Sequence, residues 1–276
     1  MTPDQLNAAL RQKWPGLHRW ARGVFNSALM RHPALPCPAL PRSLDEKRVW
    51  VHPRFCATQL DVKPHVRAWL ARYLHTGSTF FDVGAYVGWH SIFAARIVGR
   101  EGRVEAFEAS PANAYYLDYH RRKNRLSQME VVRAAVASEA GGELLFHLIN
   151  GGDSTSNSIH CGEASSRAEA NQVLSAVSVA TTTLDAHAAI QPPDLVKIDV
   201  EGAELLVLNG AAGLMSYRRP PIILAAHPTW LPDGARAEEI FRLMHRREYE
   251  IYEPDGTAAT RLEAADYLCL PNEYLS

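Results

Sequence analysis

The chain has no long apolar run, no surplus of either charge and few cysteines, and each shortage removes a class of protein. Its longest apolar stretch near a strand-like segment, "IILAA" at 222–226, is far too short to cross a bilayer. With 29 Lys and Arg against 30 Asp and Glu, the net charge is −1, so no overall field draws the chain to nucleic acid or lipid. The cysteines, Cys37, Cys56, Cys161 and Cys269, are scattered without a C-x-x-C pair. They read as thiols in a reducing cytoplasm rather than as a disulfide framework. The opening residues, "MTPDQLNAAL", lack a basic stretch followed by an apolar core, so no signal peptide is expected. What is present is 276 residues, 47% hydrophobic and 21% charged, enough for one large core and an appendage.

Two regions differ in texture. Leu6, Leu10, Trp14, Leu17, Val24, Phe25 and Leu29 recur at helical intervals, broken at Pro15-Gly16. Arg11, Lys13, Arg19 and Arg22 make this arm locally basic, and packing onto the main domain or a sister subunit is expected, which would make a homodimer. "HPALPCPALP" reads as an extended linker. A helix follows over 64–74, with Pro64 in its first turn and Val66, Trp69, Leu70, Tyr73 and Leu74 on one face. The expected organisation is an N-terminal helical arm and linker over 1–75 and a catalytic domain over 76–276.

From position 79 strands and helices alternate. Strands are predicted at 79–83, 103–107, 130–136, 195–199, 221–226, 248–252 and 265–270, with helices at 88–98, 111–124, 202–214 and 236–246. That rhythm predicts an α/β fold with a seven-stranded, mostly parallel, Rossmann-like sheet and helices on both faces. Two further β-like stretches, 143–148 and 176–182, flank a polar loop over 150–166 whose Asp153, Ser154, Ser156 and Asn157 could hydrogen-bond acceptor hydroxyls. In an open parallel sheet, ligands gather at the carboxyl ends of strands where the strand order reverses.

Three stretches fall at such ends. In "FFDVGAYVGWHS" a strand stops at Asp82 and turns through Gly84 and Gly88 into a helix, leaving room for close backbone approach. In "RVEAFEAS" the next strand ends at Glu108, where an acid can accept hydrogen bonds from both ribose hydroxyls of a nucleotide. Ser110 and Pro111 then start a helix and fix that acid at the strand tip. A G-x-G-x-x-G turn is missing, and Asp82 would repel a pyrophosphate. An acid there suits a ligand carrying an ammonium or sulfonium, which favours S-adenosylmethionine over NAD. In "LVKIDVEGAELLVLNGA" the pair Asp199 and Glu201 stands at a third tip, where crowded carboxylates are costly unless they hold substrate, cofactor or a metal.

Taken in order, these three stretches resemble the FkbM-type family of S-adenosylmethionine-dependent methyltransferases over roughly 79–227. The resemblance implies methyl transfer to a hydroxyl of a sugar, glycan or secondary metabolite. It puts Asp82, Gly84 and Gly88, with Tyr86 and Ser91, at the methionine end of the cofactor, Glu108 with Ala109 at the ribose, Ala135 near the adenine, and Asp199 closing the pocket. Tyr86 stands where the family usually has Asn, and Ala109 where it has Pro. Ala225-Ala226-His227 replaces Glu-x-His, which removes the expected acid partner of the histidine.

An alcohol acceptor must lose a proton, so a general base is expected within hydrogen-bond reach. His227, directly after a strand, is the first candidate, with Asp199 and Glu201 as its catalytic neighbours and His90 as the second choice. No metal is assigned, because one acid pair is apparent and no third ligand follows at recognisable spacing. The partner is then a small-molecule or glycan acceptor, with no nucleic acid, no membrane segment and a cytoplasmic location. Two other readings compete: a non-catalytic binding module on the same fold, and a nicotinamide-dependent oxidoreductase.

Overall fold

The computed structural model describes Lys13, residues 38–56, Leu60 and residues 63–149, 174–228 and 235–274. The N-terminal arm over 4–30 with its dimer contact, and the polar loop over 150–166, lie outside the described residues apart from Lys13. The chain divides into two compact units, residues 1–61 with 119–125, and 62–118 with 126–276.

The first unit holds a β-hairpin that the Pro-rich composition hides, β1 (Leu40–Leu44) paired antiparallel with β2 (Lys47–Val51). Asp45 and Glu46 make the tight turn at positive φ. The Asn124 side chain stitches the hairpin, accepting from the Trp50 amide and donating to its carbonyl, both at 2.8 Å. His120 Nε2 accepts from the His52 amide at 3.0 Å.

The second unit is built on a seven-stranded sheet. Its strands are β3 (Thr79–Val83), β4 (Arg103–Phe107), β5 (Met129–Val132), β9 (Leu195–Ile198), β10 (Ile222–Ala225), β11 (Tyr249–Tyr252) and β12 (Asp266–Pro271). They lie in the order β11-β12-β10-β9-β3-β4-β5, parallel except that β12 runs antiparallel to both neighbours. The order reverses beside β3, so the carboxyl ends of β3 and β9 border the crevice where such sheets bind ligands.

Side-chain alternation assigns the two faces. Phe81 and Val83 join Phe107, Val196 and Ile198 in an apolar core with Leu208, Met215 and Met244. Those three come from α5 (Glu204–Asn209), α6 (Ala212–Tyr217) and α7 (Ala235–Arg246). Asp82 points to the other face, where Ser91 of α2 (Trp89–Val98) meets it. Helix α1 (Pro64–Tyr73) contacts α2, and α3 (Pro111–Lys123) links β4 to β5.

Two expected elements are redrawn, and one helix is added. The strand expected over 130–136 breaks at Arg133-Ala134. Its end, β6 (Ala135–Val136), leaves the main sheet to pair with β8 (Leu174–Thr182), which also pairs antiparallel with β7 (Glu143–Ile149). The helix expected over 202–214 is split at Gly210, where a Cβ would lie 2.0 Å from the Ala137 carbonyl oxygen. Between β8 and β9 sits α4 (Leu184–Ala188), capped by Thr183, whose hydroxyl accepts from the Ala186 amide at 3.1 Å.

Candidate active site

The turn after β3 is shaped by its own protein. Gly84 has φ +77°, and a Cβ there would come within 1.9 Å of the Asp199 carbonyl oxygen. At Gly88, φ +97°, a Cβ would meet the Leu117 side chain at 2.4 Å. The room these glycines keep is filled by β9's exit and by α3. Tyr86, also at positive φ, contributes its backbone: its amide donates to Glu108 Oε2 at 2.7 Å.

The resemblance puts Asp82 and Ser91 at the methionine end of the cofactor. Both are fully buried, and Ser91 Oγ donates to Asp82 Oδ2 at 2.5 Å. Asp82 Oδ1 lies 3.5 Å from Nζ of Lys197. The register explains the pair, because Asp82 and Lys197 are directly opposed on β3 and β9 and their side chains share a face. Together they tie the turn after β3 to β9 and α2.

Glu108 is the acid the sequence expects at the tip of β4. It is 6% exposed, and its second oxygen accepts from the Ser110 amide at 2.8 Å. Burial drives its pKa up to about 7, against the pull of the Ser110 and Tyr86 amides and the Asn113 side chain. Ala109 packs onto a small apolar cluster of Ala135, Phe146, Leu148 and Val179. The two alanines named from the sequence thus fall together beside Glu108, in a buried apolar cluster.

One strand from β3, the second cluster forms. Asp199 leaves β9 with its amide donating to the Val83 carbonyl, and its Oδ2 lies 3.2 Å from Lys197 Nζ. Burial raises the Asp199 pKa, but Lys197 and the histidines nearby more than offset this and hold it at about 2. Glu201 and Gly202 both take positive φ, which swings Glu201 back toward the strand tips. His227 follows β10, with Nε2 at 3.7 Å from Asp199 Oδ1 and 3.8 Å from Glu201 Oε2.

The expectation that His227 lacks an acid partner is corrected by Glu204. This residue, fully buried at the start of α5, accepts from His227 Nδ1 at 2.8 Å. Burial lowers the His227 pKa, yet that hydrogen bond and the charges of Glu201 and Asp199 push it up to about 9. Burial likewise lifts Glu201 to about 7. His90, the alternative base, is pulled down to about 4 by burial and by Lys197, and its Nε2 is buried with no hydrogen-bond partner among the described residues.

Sequence reasoning missed Lys197 and Glu204, although both lie in the quoted K-I-D-V-E-G-A-E block. The signal was available, since Lys197 sits two before Asp199 on a buried strand and needs a counter-charge. It also missed Asp266, which pairs in register with Ala225 and is bound by Lys63 Nζ at 2.6 Å and His65 Nε2 at 2.7 Å. No motif marks that contact.

The sequence pattern described as the methyltransferase FkbM domain matches residues 82–251. The chain belongs to this family. Among solved structures, a methyltransferase FkbM from Methylobacillus flagellatus KT is 17% identical, with 70% of this chain and 43% of that one covered and a TM-score of 0.44. A SAM-dependent O-methyltransferase from Thermotoga maritima is 14% identical, with 84% and 76% covered and a TM-score of 0.43. A precorrin-6y C5,15-methyltransferase from Geobacter metallireducens GS-15 is 14% identical, with 77% and 90% covered and a TM-score of 0.43. No curated protein matches.

As an FkbM methyltransferase the protein uses S-adenosylmethionine, and the residues present fit that molecule. A buried carboxylate with an elevated pKa at the tip of β4 is suited to two hydroxyl donors, and a buried apolar cluster adjoins it. Among the described residues, no helix is long and apolar enough to cross a membrane.

Proposed function

We propose that this FkbM methyltransferase methylates a hydroxyl oxygen of a small polyhydroxylated acceptor, a sugar, glycan or secondary metabolite. The observation that carries this reading is the Glu204–His227 pair closing against Asp199 and Glu201 at the tips of β9 and β10. An alcohol is a poor nucleophile until its proton is taken, whereas a neutral amine needs no such machinery. An acid–imidazole cluster one strand from the cofactor turn supplies a proton acceptor where an acceptor hydroxyl would arrive.

Bound S-adenosylmethionine supplies an electrophilic methyl group. Glu108 and the apolar surface of Ala109 and Ala135 hold its nucleoside. The turn from Gly84 to Gly88, locked by Asp82, Ser91 and Lys197, carries the methionine end, and Asp199 borders both ligands. His227, tied through Nδ1 to Glu204 and facing two carboxylates, acts as part of the cluster rather than as a lone base. We place the activity in a reducing, cytoplasmic setting, consistent with the free buried thiol of Cys269.

The test is transfer of labelled methyl from S-adenosylmethionine to panels of polyols, phenols, amines and thiols. O-methyl product from a hydroxyl acceptor is expected. Glu201→Gln and His227→Ala should each keep affinity for S-adenosylhomocysteine and slow turnover about 100-fold. Product from amines or thiols alone, or full turnover in both variants, would sink the proposal. Cofactor binding without transfer to any acceptor would instead favour a binding module.

A further inference from the structure

Asp199, Glu201 and His227 each aim one ligand-type atom at a common space, and the three atoms lie within 4.8 Å of one another. The sequence shows only the acid pair. The fold adds the imidazole, because β10 lies beside β9 in parallel and delivers His227 to the same edge. We propose that these three side chains bind one divalent cation, Mn²⁺ or Zn²⁺, through Asp199 Oδ1, Glu201 Oε2 and His227 Nε2.

The spacing is the first reason. A protonated Nε2 bonded to a carboxylate would close to about 2.7–2.9 Å. Here Nε2 stands off from both carboxylates, at 3.7 and 3.8 Å. Two ligand bonds of about 2.0–2.2 Å meeting at one ion separate their ends by about 3–4 Å. The gap is the size of a bound cation.

The second reason lies behind the imidazole. Glu204 is fully buried, directs Oε1 at His227 Nδ1, and its Oε2 has no hydrogen-bond partner among the described residues. A carboxylate holding Nδ1–H leaves the Nε2 lone pair facing the two acids, the orientation that carboxylate–histidine–metal triads use. Charge is the third reason. Asp82 and Asp199 flank the buried Lys197, while Glu201 and Glu204 gather at His227 beside Asp199. Carboxylates brought this close repel one another, and a divalent ion between them offsets that repulsion. Two carboxylates with one imidazole suit a first-row ion that accepts both oxygen and nitrogen.

The proposal deepens the methyltransferase reading, since such an ion offers an open position to an acceptor oxygen, but the binding itself does not depend on that reading. The full chain, stripped with chelator, is titrated with Mn²⁺ alone and followed by electron paramagnetic resonance, and separately with Zn²⁺ by calorimetry. S-adenosylhomocysteine affinity is measured on the same samples. One ion per chain is expected. Glu201→Gln and His227→Ala should each abolish binding while S-adenosylhomocysteine still binds, and Glu204→Gln should weaken it about 10–100-fold. Failure of the wild-type chain to bind either ion, or unchanged binding in Glu201→Gln and His227→Ala, would overturn the site, leaving His227 as a cation held by the acids. Metal binding that the variants remove, in a chain with no affinity for S-adenosylhomocysteine, would uphold the cation site and sink the cofactor reading instead.

Discussion

Replacing Glu108 with Gln removes one charge from the proposed ribose site and tests its logic directly. The carboxylate is 6% exposed and ionises near pH 7 in the free protein, because burial outweighs the Tyr86 and Ser110 amides. Ribose hydroxyls donating to it favour the ionised form, so binding and deprotonation are linked. In the free protein the raised pKa means the folded state prefers the acid form. That preference stabilises the fold below the unfolded value of about 4.5 and is lost as pH climbs through about 7. Cofactor binding recovers part of the cost by bonding the carboxylate. Affinity for S-adenosylhomocysteine should therefore be flat above pH 7 and fall toward tenfold per unit below it. Hydrogen bonds to a charged group contribute about 1.5–3 kcal/mol, so Glu108→Gln should weaken binding by roughly 10- to 150-fold at pH 8. The variant should also lose the pH slope between 5.5 and 7. Calorimetry across that range measures both effects. A wild-type affinity that ignores pH, or a variant that binds as tightly as wild type, would refute the assignment.

Two further substitutions probe the frame around the site. Gly84→Ala forces a Cβ to 1.9 Å from the Asp199 carbonyl oxygen at φ +77°, and should cost about 3 kcal/mol or more; a wild-type denaturation midpoint in urea would contradict that contact. Lys197→Met leaves Asp82 and Asp199 without their shared cation and should cost about 3–5 kcal/mol at neutral pH; a thermal midpoint within 2 °C or so of wild type would show that the pairing carries no such stability.

The main sheet was legible because its strands are buried on both faces and end at turn or cap residues. Thr79–Val83 and Arg103–Phe107 stop where Gly84 and Ser110 dictate. Glu108 and the Asp199–Glu201 pair were legible for the same reason, as acids at strand tips. The β1–β2 hairpin was not, since Leu40-Pro41 reads as linker and its turn uses Asp45 and Glu46 instead of glycine. Nor was the exit of Ala135–Val136 to a second sheet, which depends on pairing with Thr181 and Thr182 far along the chain. The partner of His227 was sought two residues before it and was found on α5, because contact between strand tips and helix starts is set by sheet order, which local spacing does not encode.

Sheet order also gives the glycine at position 84 its meaning. With β3 beside β9, the absent Cβ lets the Asp199 carbonyl settle against the cofactor turn, while the Asp199 amide donates to Val83. Lys197 ties the same two strands through Asp82 and Asp199 on the buried face. The turn proposed to carry the methionine end and the carboxylates proposed to meet the acceptor are thus parts of one unit, bonded through backbone and side chain alike. In-line displacement tolerates little error in the angle between nucleophile and leaving sulfur, and effective molarity depends on that alignment being fixed before the reaction. A chain that locks its donor and acceptor edges together at Gly84 needs less motion to reach it. On this account a larger residue at 84, even if the fold survived it, would separate the two edges and lower kcat more than it raised the KM for S-adenosylmethionine. The reverse split would mean that the turn serves cofactor affinity alone.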